Sequence, residues 1–328
     1  MKELLKKLTE AFGPSGEENK IREVILDEIK DYAEEVRVDA LGNIIARKKG
    51  PGEKLMLAAH MDQIGLIVTN IDDKGFLRFS NIGGILPLTL FGERVVFENG
   101  TIGVIGIEKM DDLKDIRDIK LNKMYIDIGA RDKEEAKKKV RIGDKAVFYE
   151  GFDVVGDFVT SKALDDRAGC AVLIKLLQEV KSPKYDTYFV FTVQEEVGVR
   201  GAKTSAYGID PDLAIAVDVT MTGDTPEAGK MAVELGKGPA VKIMDRSVIC
   251  HPKIKEMLIE SAEKNNIPYQ LEVLEMGGTD TGAIHLTREG VPSGCLSIPT
   301  RYIHTPSEMA SMSDIENAVK LLIHVLEK

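Results

Sequence analysis

Side chains that bind metals or move protons follow four apolar runs of this 328-residue chain. The runs KLMLAA, TYFVFTV, LAIAV and CLSIPT lead into His60, Glu195 with Glu196, Asp218 and His304. Continuous apolar runs of this length predict strands that are buried on both faces of a parallel sheet. The carboxyl ends of such strands meet at one edge, where open α/β sheets bind their ligands. We therefore expect these side chains to line one pocket.

An acidic pair, Asp165 and Asp166, precedes a predicted helix and adds a further carboxylate to this pocket. The candidate metal ligands are then His60, Asp165, Glu196, Asp218 and His304. Imidazoles and carboxylates without cysteine suit divalent ions such as zinc, cobalt or manganese. Three carboxylates in one pocket would repel and raise one another's pKa, and a pair of divalent ions would remove that repulsion.

The pattern therefore predicts a dinuclear site in which Asp165 could bridge both ions. His60 and Asp218 would complete one position. Glu196 and His304 would complete the other. Two ions about 3.5–4 Å apart generate a hydroxide nucleophile from bound water.

Glu195 lies outside this ligand set and is a candidate general base. Adjacent residues of a regular strand point to opposite faces. Both glutamates can serve one site only if the strand has ended there, which the following Val197-Gly198 permits. We predict that Glu196 binds metal while Glu195 takes the proton of the attacking water. Asp62 is placed to accept the second N–H group of the His60 imidazole.

A glycine-rich segment, Gly277-Gly278-Thr279-Asp280, is a candidate substrate loop. It could be only a turn, or its backbone could approach a bound substrate, since glycine removes the steric barrier of a side chain. The candidate substrate-binding residues are Gly278, Thr279 and Asp280. Arg301 and Arg246 are candidate partners for an acidic substrate side chain.

The elements that carry these residues alternate between helix and strand in the first and last parts of the chain. Predicted helices include DRAGCAVLIKLLQEV and HPKIKEMLIESAEKNN. S-x-x-E patterns at Ser15–Glu18 and Ser313–Glu316 predict capped starts for two more. The region between is richer in short strands. It has a hairpin around an Asp-Lys-Gly turn, another at Asn99-Gly100 and a helix near Lys133–Lys139.

Short strands separated by glycine turns predict a small β-barrel or sandwich. The simplest architecture is one α/β domain interrupted by an inserted β domain. The predicted bounds are 1–63 with 157–328 for the catalytic domain, and 64–156 for the insertion.

Composition narrows the function classes. With 44 Lys and Arg against 54 Asp and Glu, the net charge is −10, which argues against a nucleic-acid partner. No apolar run is long enough to span a membrane, for which about 18 residues are needed. The opening segment, MKELLKKLTEAFG, lacks the apolar core of a signal peptide. We expect a cytoplasmic protein with neither a membrane nor a nucleic acid as partner.

Six motifs, in order, resemble those of the tetrahedral aminopeptidases, which are also called deblocking or glutamyl-type aminopeptidases and were sometimes labelled endoglucanases. The motifs are HMDQIG, ALDDRAG, VQEEVGVRGA, AVDVT, GGTDTGA and IPTRYIHTPSEM. The resemblance covers essentially the whole chain. It implies an α/β/α sandwich with a mixed, partly parallel sheet, interrupted by a PDZ-like β-barrel that mediates dimerisation. It also implies a dodecamer built from dimers and a cis peptide at Asp165-Asp166.

The same resemblance implies two divalent metal ions per subunit, zinc or cobalt before manganese, held by the five candidate ligands. The implied activity is removal of amino-terminal residues from short peptides, with metal-bound hydroxide attacking the scissile carbonyl and Glu195 as general base. Alternatives are a dinuclear deacylase or amidohydrolase, a glycosidase, which needs two carboxylates flanking the bond, and a metal-storage or assembly protein without activity.

Overall fold

The computed structural model describes residues 1–108, 115 and 119–327. Its helices are α1 (Lys2–Glu10), α2 (Asn19–Ile29), α3 (Lys133–Lys139), α4 (Leu164–Glu179), α5 (Arg200–Ile209), α6 (Pro252–Lys264), α7 (Thr281–Ile284) and α8 (Met312–Glu327). The strands up to the end of the predicted insertion are β1 (Glu35–Val38), β2 (Ile44–Lys48), β3 (Lys54–His60), β4 (Gly65–Ile71), β5 (Leu77–Ile82), β6 (Arg94–Phe97), β7 (Ile102–Ile107), β8 (Met124–Asp127), β9 (Lys145–Phe148) and β10 (Asp153–Val155). The later strands are β11 (Phe158–Ser161), β12 (Asp186–Thr192), β13 (Leu213–Thr220), β14 (Ala240–Met244), β15 (Gln270–Val273), β16 (Ser293–Arg301) and β17 (Glu308–Ser311).

A mixed sheet forms the larger part of the molecule. Its strand order is β1-β2-β12-β3-β13-β16-β17-β11-β10, and β14 and β15 pair beside β16. The central neighbours β12, β3, β13 and β16 run parallel. These four strands carry the apolar runs of the sequence, so the prediction of a parallel core is confirmed.

Helices cover both faces of this sheet, because the central strands are apolar on both sides. In β3, Leu55, Leu57 and Ala59 join the core beneath α4 and α8. The alternate residues Met56 and Ala58 pack with α5 and α7 on the other face. Successive side chains of a strand point to opposite faces. The predicted α/β/α arrangement with a mixed sheet is therefore confirmed.

A closed antiparallel barrel forms the second part, with strand order β4-β5-β8-β7-β6-β9. Both predicted hairpins are present, β4 with β5 and β6 with β7. Gly100 closes the second turn at φ +87°, a conformation that glycine adopts without strain. The barrel encloses its own apolar core. The bounds 64–156 stay a prediction, and β10 pairs with β11 of the main sheet.

Two predicted helix caps are wrong. Helix α2 begins at Asn19 without a side-chain cap, and the Ser15 hydroxyl donates instead to the buried Asp62 carboxylate at 2.6 Å. Helix α8 begins at Met312, so Ser313 lies inside its first turn. In the described part of the chain, every helix is too short or too polar to cross a membrane.

Candidate metal centre

The five predicted ligands meet at the carboxyl edge of the parallel strands. His60 ends β3 opposite Thr192 of β12, and Asp218 lies near the end of β13. His304 follows β16, and Asp165 lies in the first turn of α4. This turn has non-helical dihedral angles, and the Asp165-Asp166 peptide is cis, as the resemblance implied.

Asp165 lies between two imidazoles. Its Oδ1 is 3.0 Å from His60 Nε2, and its Oδ2 is 3.2 Å from His304 Nε2. Glu196 Oε2 is 3.2 Å from the same His304 nitrogen. Asp218 Oδ1 lies 3.8 Å from His60 Nε2. Asp165 therefore lies between the two groups of candidate ligands, and the pairing of these groups around two ions stays a prediction.

The donor set fits divalent ions. Ligand atoms of His60, Asp165 and Glu196 lie within 4.8 Å of one another, as metal coordination requires. The Glu196 Oε1 atom is buried and accepts no hydrogen bond within the described structure, although buried carboxylate oxygens are normally satisfied. The site thus holds an acceptor atom that a cation would satisfy.

A second group, His60, Asp166 and Asp218, also lies within the same limit. Both Asp166 carboxylate oxygens already accept a hydrogen bond. One accepts the backbone N–H of His60 at 3.1 Å, and the other accepts the backbone N–H of Gly169 at 3.0 Å. Asp166 therefore holds the backbone of the site, and Asp165 is better placed to bind an ion. Sequence reasoning noted this acidic pair but assigned no role to Asp166.

The electrostatics are those of a crowded acidic pocket. Burial and repulsion from Asp165 raise the pKa of Asp218 well above its usual range. Burial raises the pKa of Glu196 as well. Although burial opposes it, hydrogen bonding to Asp165 and Glu196 raises the pKa of His304 to about 12. A divalent cation would relieve the repulsion among these carboxylates.

Glu195 and Glu196 both line the cavity at this edge. Strand β12 ends at Thr192, and Gln194 then adopts φ +54°, which breaks the alternation of the strand. The predicted end of the strand before the two glutamates is thus confirmed. Burial, followed by repulsion from Asp218 and Glu196, raises the pKa of Glu195 well above its usual range.

Asp62 contacts the site through more groups than the prediction named. The His60 Nδ1 atom lies 3.2 Å from the Asp62 backbone carbonyl and 3.6 Å from its carboxylate. The carboxylate also accepts the backbone N–H groups of Glu195 at 3.0 Å and Glu196 at 3.3 Å, together with the Ser15 hydroxyl. Asp62 therefore holds the segment that carries both glutamates.

Glu308 is a residue of the site that sequence reasoning missed. Its Oε2 accepts the backbone N–H of Asp165, and its Oε1 accepts the backbone N–H of His304, both at 2.9 Å. The side chain is 1% exposed. It lies in the motif IPTRYIHTPSEM, four residues after His304, but a lone glutamate in a polar stretch of sequence is ordinarily solvated.

A cavity of about 780 Å³ opens at the centre and includes part of the predicted substrate loop. Gly278 and Thr279 line it. Asp280 is buried behind this wall, where its Oδ2 accepts the Thr192 hydroxyl at 2.5 Å. The Arg301 guanidinium pairs with Asp224 at 2.6 and 3.0 Å and is not among the described residues that line the cavity.

The chain matches one protein family over most of its length. Residues 42–321 match the family described as M42 glutamyl aminopeptidase. A protein of Acetivibrio thermocellus named as a putative aminopeptidase is 59% identical over 326 residues, which cover 99% of this chain and 98% of the relative.

Two solved structures extend the likeness to the fold. An aminopeptidase, APDkam598, from the archaeon Desulfurococcus kamchatkensis superimposes with a TM-score of 0.96 at 43% identity, covering 100% of this chain and 94% of the other. The Pyrococcus horikoshii TET1 peptidase, which can assemble into a tetrahedron or a large octahedral shell, has a TM-score of 0.88 at 39% identity, with 99% of each chain covered.

Proposed function

The chain belongs to the M42 glutamyl aminopeptidase family, and from this premise we propose that it is an aminopeptidase with a dinuclear metal centre. The observation that carries the proposal is the position of Asp165, whose two oxygens each face one imidazole. A carboxylate between two histidines, with a further acidic residue beside each histidine, is the arrangement that two neighbouring cations need.

His60, Asp165 and Asp218 would hold one cation. Asp165, Glu196 and His304 would hold the other. When bound, the two ions, with zinc or cobalt favoured over manganese, would polarise the scissile carbonyl and lower the pKa of the attacking water.

Glu195 supplies the proton transfer in this proposal. Its carboxylate lines the cavity beside the ligands, so it can take the proton of the attacking water at an oxygen atom. Glu195 would then hold that proton until the leaving nitrogen accepts it. The free α-amino group of the peptide would be held by the ions in its neutral form, since the carboxylates of the centre are taken up as ligands.

The substrates proposed are short peptides, which a cavity of about 780 Å³ can admit by their amino-terminal end. We further propose a homo-oligomer built from dimers through the barrel, with a dodecamer as the assembled form. The support is the likeness to the Pyrococcus horikoshii TET1 peptidase, which can assemble into a tetrahedron or a large octahedral shell. Sizing the purified protein by light scattering tests this part, and a stable monomer would contradict it.

The activity is tested with peptides that differ only at the amino terminus. After chelation the protein should be inactive, and zinc, cobalt or manganese should restore hydrolysis of peptides with a free amino group. Preference for N-acylated peptides would instead indicate a deacylase, and metal-independent hydrolysis of cellulose would indicate a glycosidase.

Glu195→Gln tests the role of the base. The variant should keep its metal content and lose at least about 10²-fold in kcat, the lower end of the effect of a general base. Turnover close to that of the wild type in a metal-replete variant would rule out this role.

A further inference from the structure

Three buried carboxylates that lie outside the proposed ligand set accept backbone N–H groups of the site. We name Asp62, Asp166 and Glu308 the anchor carboxylates. The N–H groups that they hold belong to His60, Asp165, Glu195, Glu196 and His304. Four of the five proposed ligands are therefore fixed at the backbone by a side chain that does not itself bind metal.

Glu308 differs from the other two because it joins ligands from distant parts of the chain. One oxygen holds the start of α4 through Asp165, and the other holds the loop after β16 through His304. In the proposed centre, these two residues share one cation with Glu196. Glu308 thus fixes the separation of two ligands of the same ion.

The backbone around these contacts is strained. Ala163, two residues before Asp165, has φ +57°, and His304 itself has φ +64°. Residues other than glycine rarely adopt such angles, and they do so where the surrounding structure determines the conformation. The bond from the His304 N–H to Glu308 is one such determinant, because it acts on the strained residue itself.

We propose that Glu308 is a positioning residue that sets the affinity of the cation site formed by Asp165, Glu196 and His304. The inference rests on the dinuclear centre of the proposed function. An amide in place of the carboxylate would accept only one of the two N–H groups and would direct its own N–H toward the other. One of the two ligand segments would therefore be released, while the backbone N–H of His60 keeps its bond to Asp166.

The chain offers a matched control at Asp314. This carboxylate is also buried and also accepts two backbone N–H groups, those of Gly236 at 2.7 Å and Gly238 at 2.8 Å. Asp314 is not among the described residues that line the cavity. Asp314→Asn therefore imposes the same chemical change at a place where no ligand is held.

The experiment is a metal titration of the full-length chain against a chelating dye, with the thermal midpoint measured on the same samples. In Glu308→Gln, one of the two cations should bind about 10–100-fold more weakly, the usual effect of losing a group that supports a ligand. The other cation should be weakened less, because Asp165 is the only one of its three proposed ligands that Glu308 holds. Asp314→Asn should lower the thermal midpoint comparably and leave both affinities unchanged.

Glu308→Asp is the second variant and keeps the negative charge. The shorter side chain can reach only one of the two N–H groups, so its cation affinity should lie between those of the wild type and Glu308→Gln. It gives the same comparison if the amide variant does not fold.

Unchanged cation affinities in the Glu308 variants would overturn the proposal. Equal losses in the Glu308 and Asp314 variants would overturn it too, because they would reflect general destabilisation. A wild-type chain that binds two cations but hydrolyses no peptide would refute only the proposed function. A wild-type chain that binds no cation would refute both.

Discussion

Replacing Asp62 with asparagine tests whether the backbone of the two glutamates is held by a buried charge. The carboxylate accepts three hydrogen bonds, from the N–H groups of Glu195 and Glu196 and from the Ser15 hydroxyl. An asparagine of the same shape keeps an oxygen on one side only and presents an N–H group on the other. At least one backbone N–H then faces a donor.

The magnitude follows from these contacts. One charge-assisted hydrogen bond is lost, at about 1.5–3 kcal/mol, and one buried N–H is left without an acceptor, at about 1–3 kcal/mol, so the loss of stability is about 3–5 kcal/mol. A folded protein has about 5–15 kcal/mol of stability, so the variant should fold. At about 2 °C per kcal/mol for a chain of this length, the thermal midpoint should fall by about 6–10 °C.

The substitution should also reduce activity, because the backbone of Glu195 and Glu196 is expected to move when it loses its bond to Asp62. We expect kcat to fall by about 10–100-fold, as for other groups that orient ligands. The assays are thermal unfolding followed by circular dichroism and steady-state hydrolysis of a free-amino peptide, with metal content measured in parallel.

Ser15→Ala is the matched control. It removes one charge-assisted hydrogen bond to Asp62, at about 1.5–3 kcal/mol, and leaves both bonds to the glutamate backbone intact. Its activity should stay within about threefold of the wild type, since this change is equivalent to less than 1 kcal/mol. If Asp62→Asn had wild-type kinetics, or if Ser15→Ala were equally impaired, the reasoning would be refuted.

Three further predictions concern the scaffold. Glu272 and Lys242 form an ion pair in which both side chains are fully buried. Glu272→Gln should lower the free energy of unfolding, measured by denaturant titration, by about 3–5 kcal/mol, and a loss below about 1 kcal/mol would contradict this. Burial lowers the pKa of Lys162 to about 7 from 10.5, so the unfolded chain binds the extra proton between these values. The stability contributed by Lys162 should therefore rise with pH from about 7 to 10.5, and Lys162→Met should flatten that rise, whereas an identical pH profile would speak against it. A side chain on Gly201 would place its Cβ 2.5 Å from the Val193 carbonyl oxygen. Gly201→Ala should therefore shift the segment before the two glutamates and lower both the thermal midpoint and kcat. Unchanged values of both would contradict this prediction.

The ligand-bearing strands could be predicted from the sequence because their signals are local. A run such as KLMLAA is apolar at every position, and only a strand covered on both faces buries all of it. The residue that ends such a strand then lies at the carboxyl edge, as His60 does after β3. The hairpin at Asn99-Gly100 was predictable for a similar reason, since the turn chemistry lies within two adjacent residues.

Contacts between distant segments could not be predicted in this way. The capping pattern at Ser15 was present in the sequence, but the Asp62 carboxylate competes for the same hydroxyl and binds it. Arg301 was a candidate for substrate binding, and the tertiary structure places its guanidinium against Asp224. In each case the partner is far away in the chain, so no local pattern could indicate it.

The sequence alone determined the residue types of the centre, their order along the chain and the kind of fold that carries them, because periodicity and strand ends are properties of short segments. The tertiary structure decided how those residues are held. It placed Asp165 between two imidazoles and buried Asp62, Asp166 and Glu308 behind the site as backbone acceptors. The physical reason is that a buried carboxylate costs free energy unless it accepts hydrogen bonds. Only the packed chain determines which donors lie within hydrogen-bond distance of it.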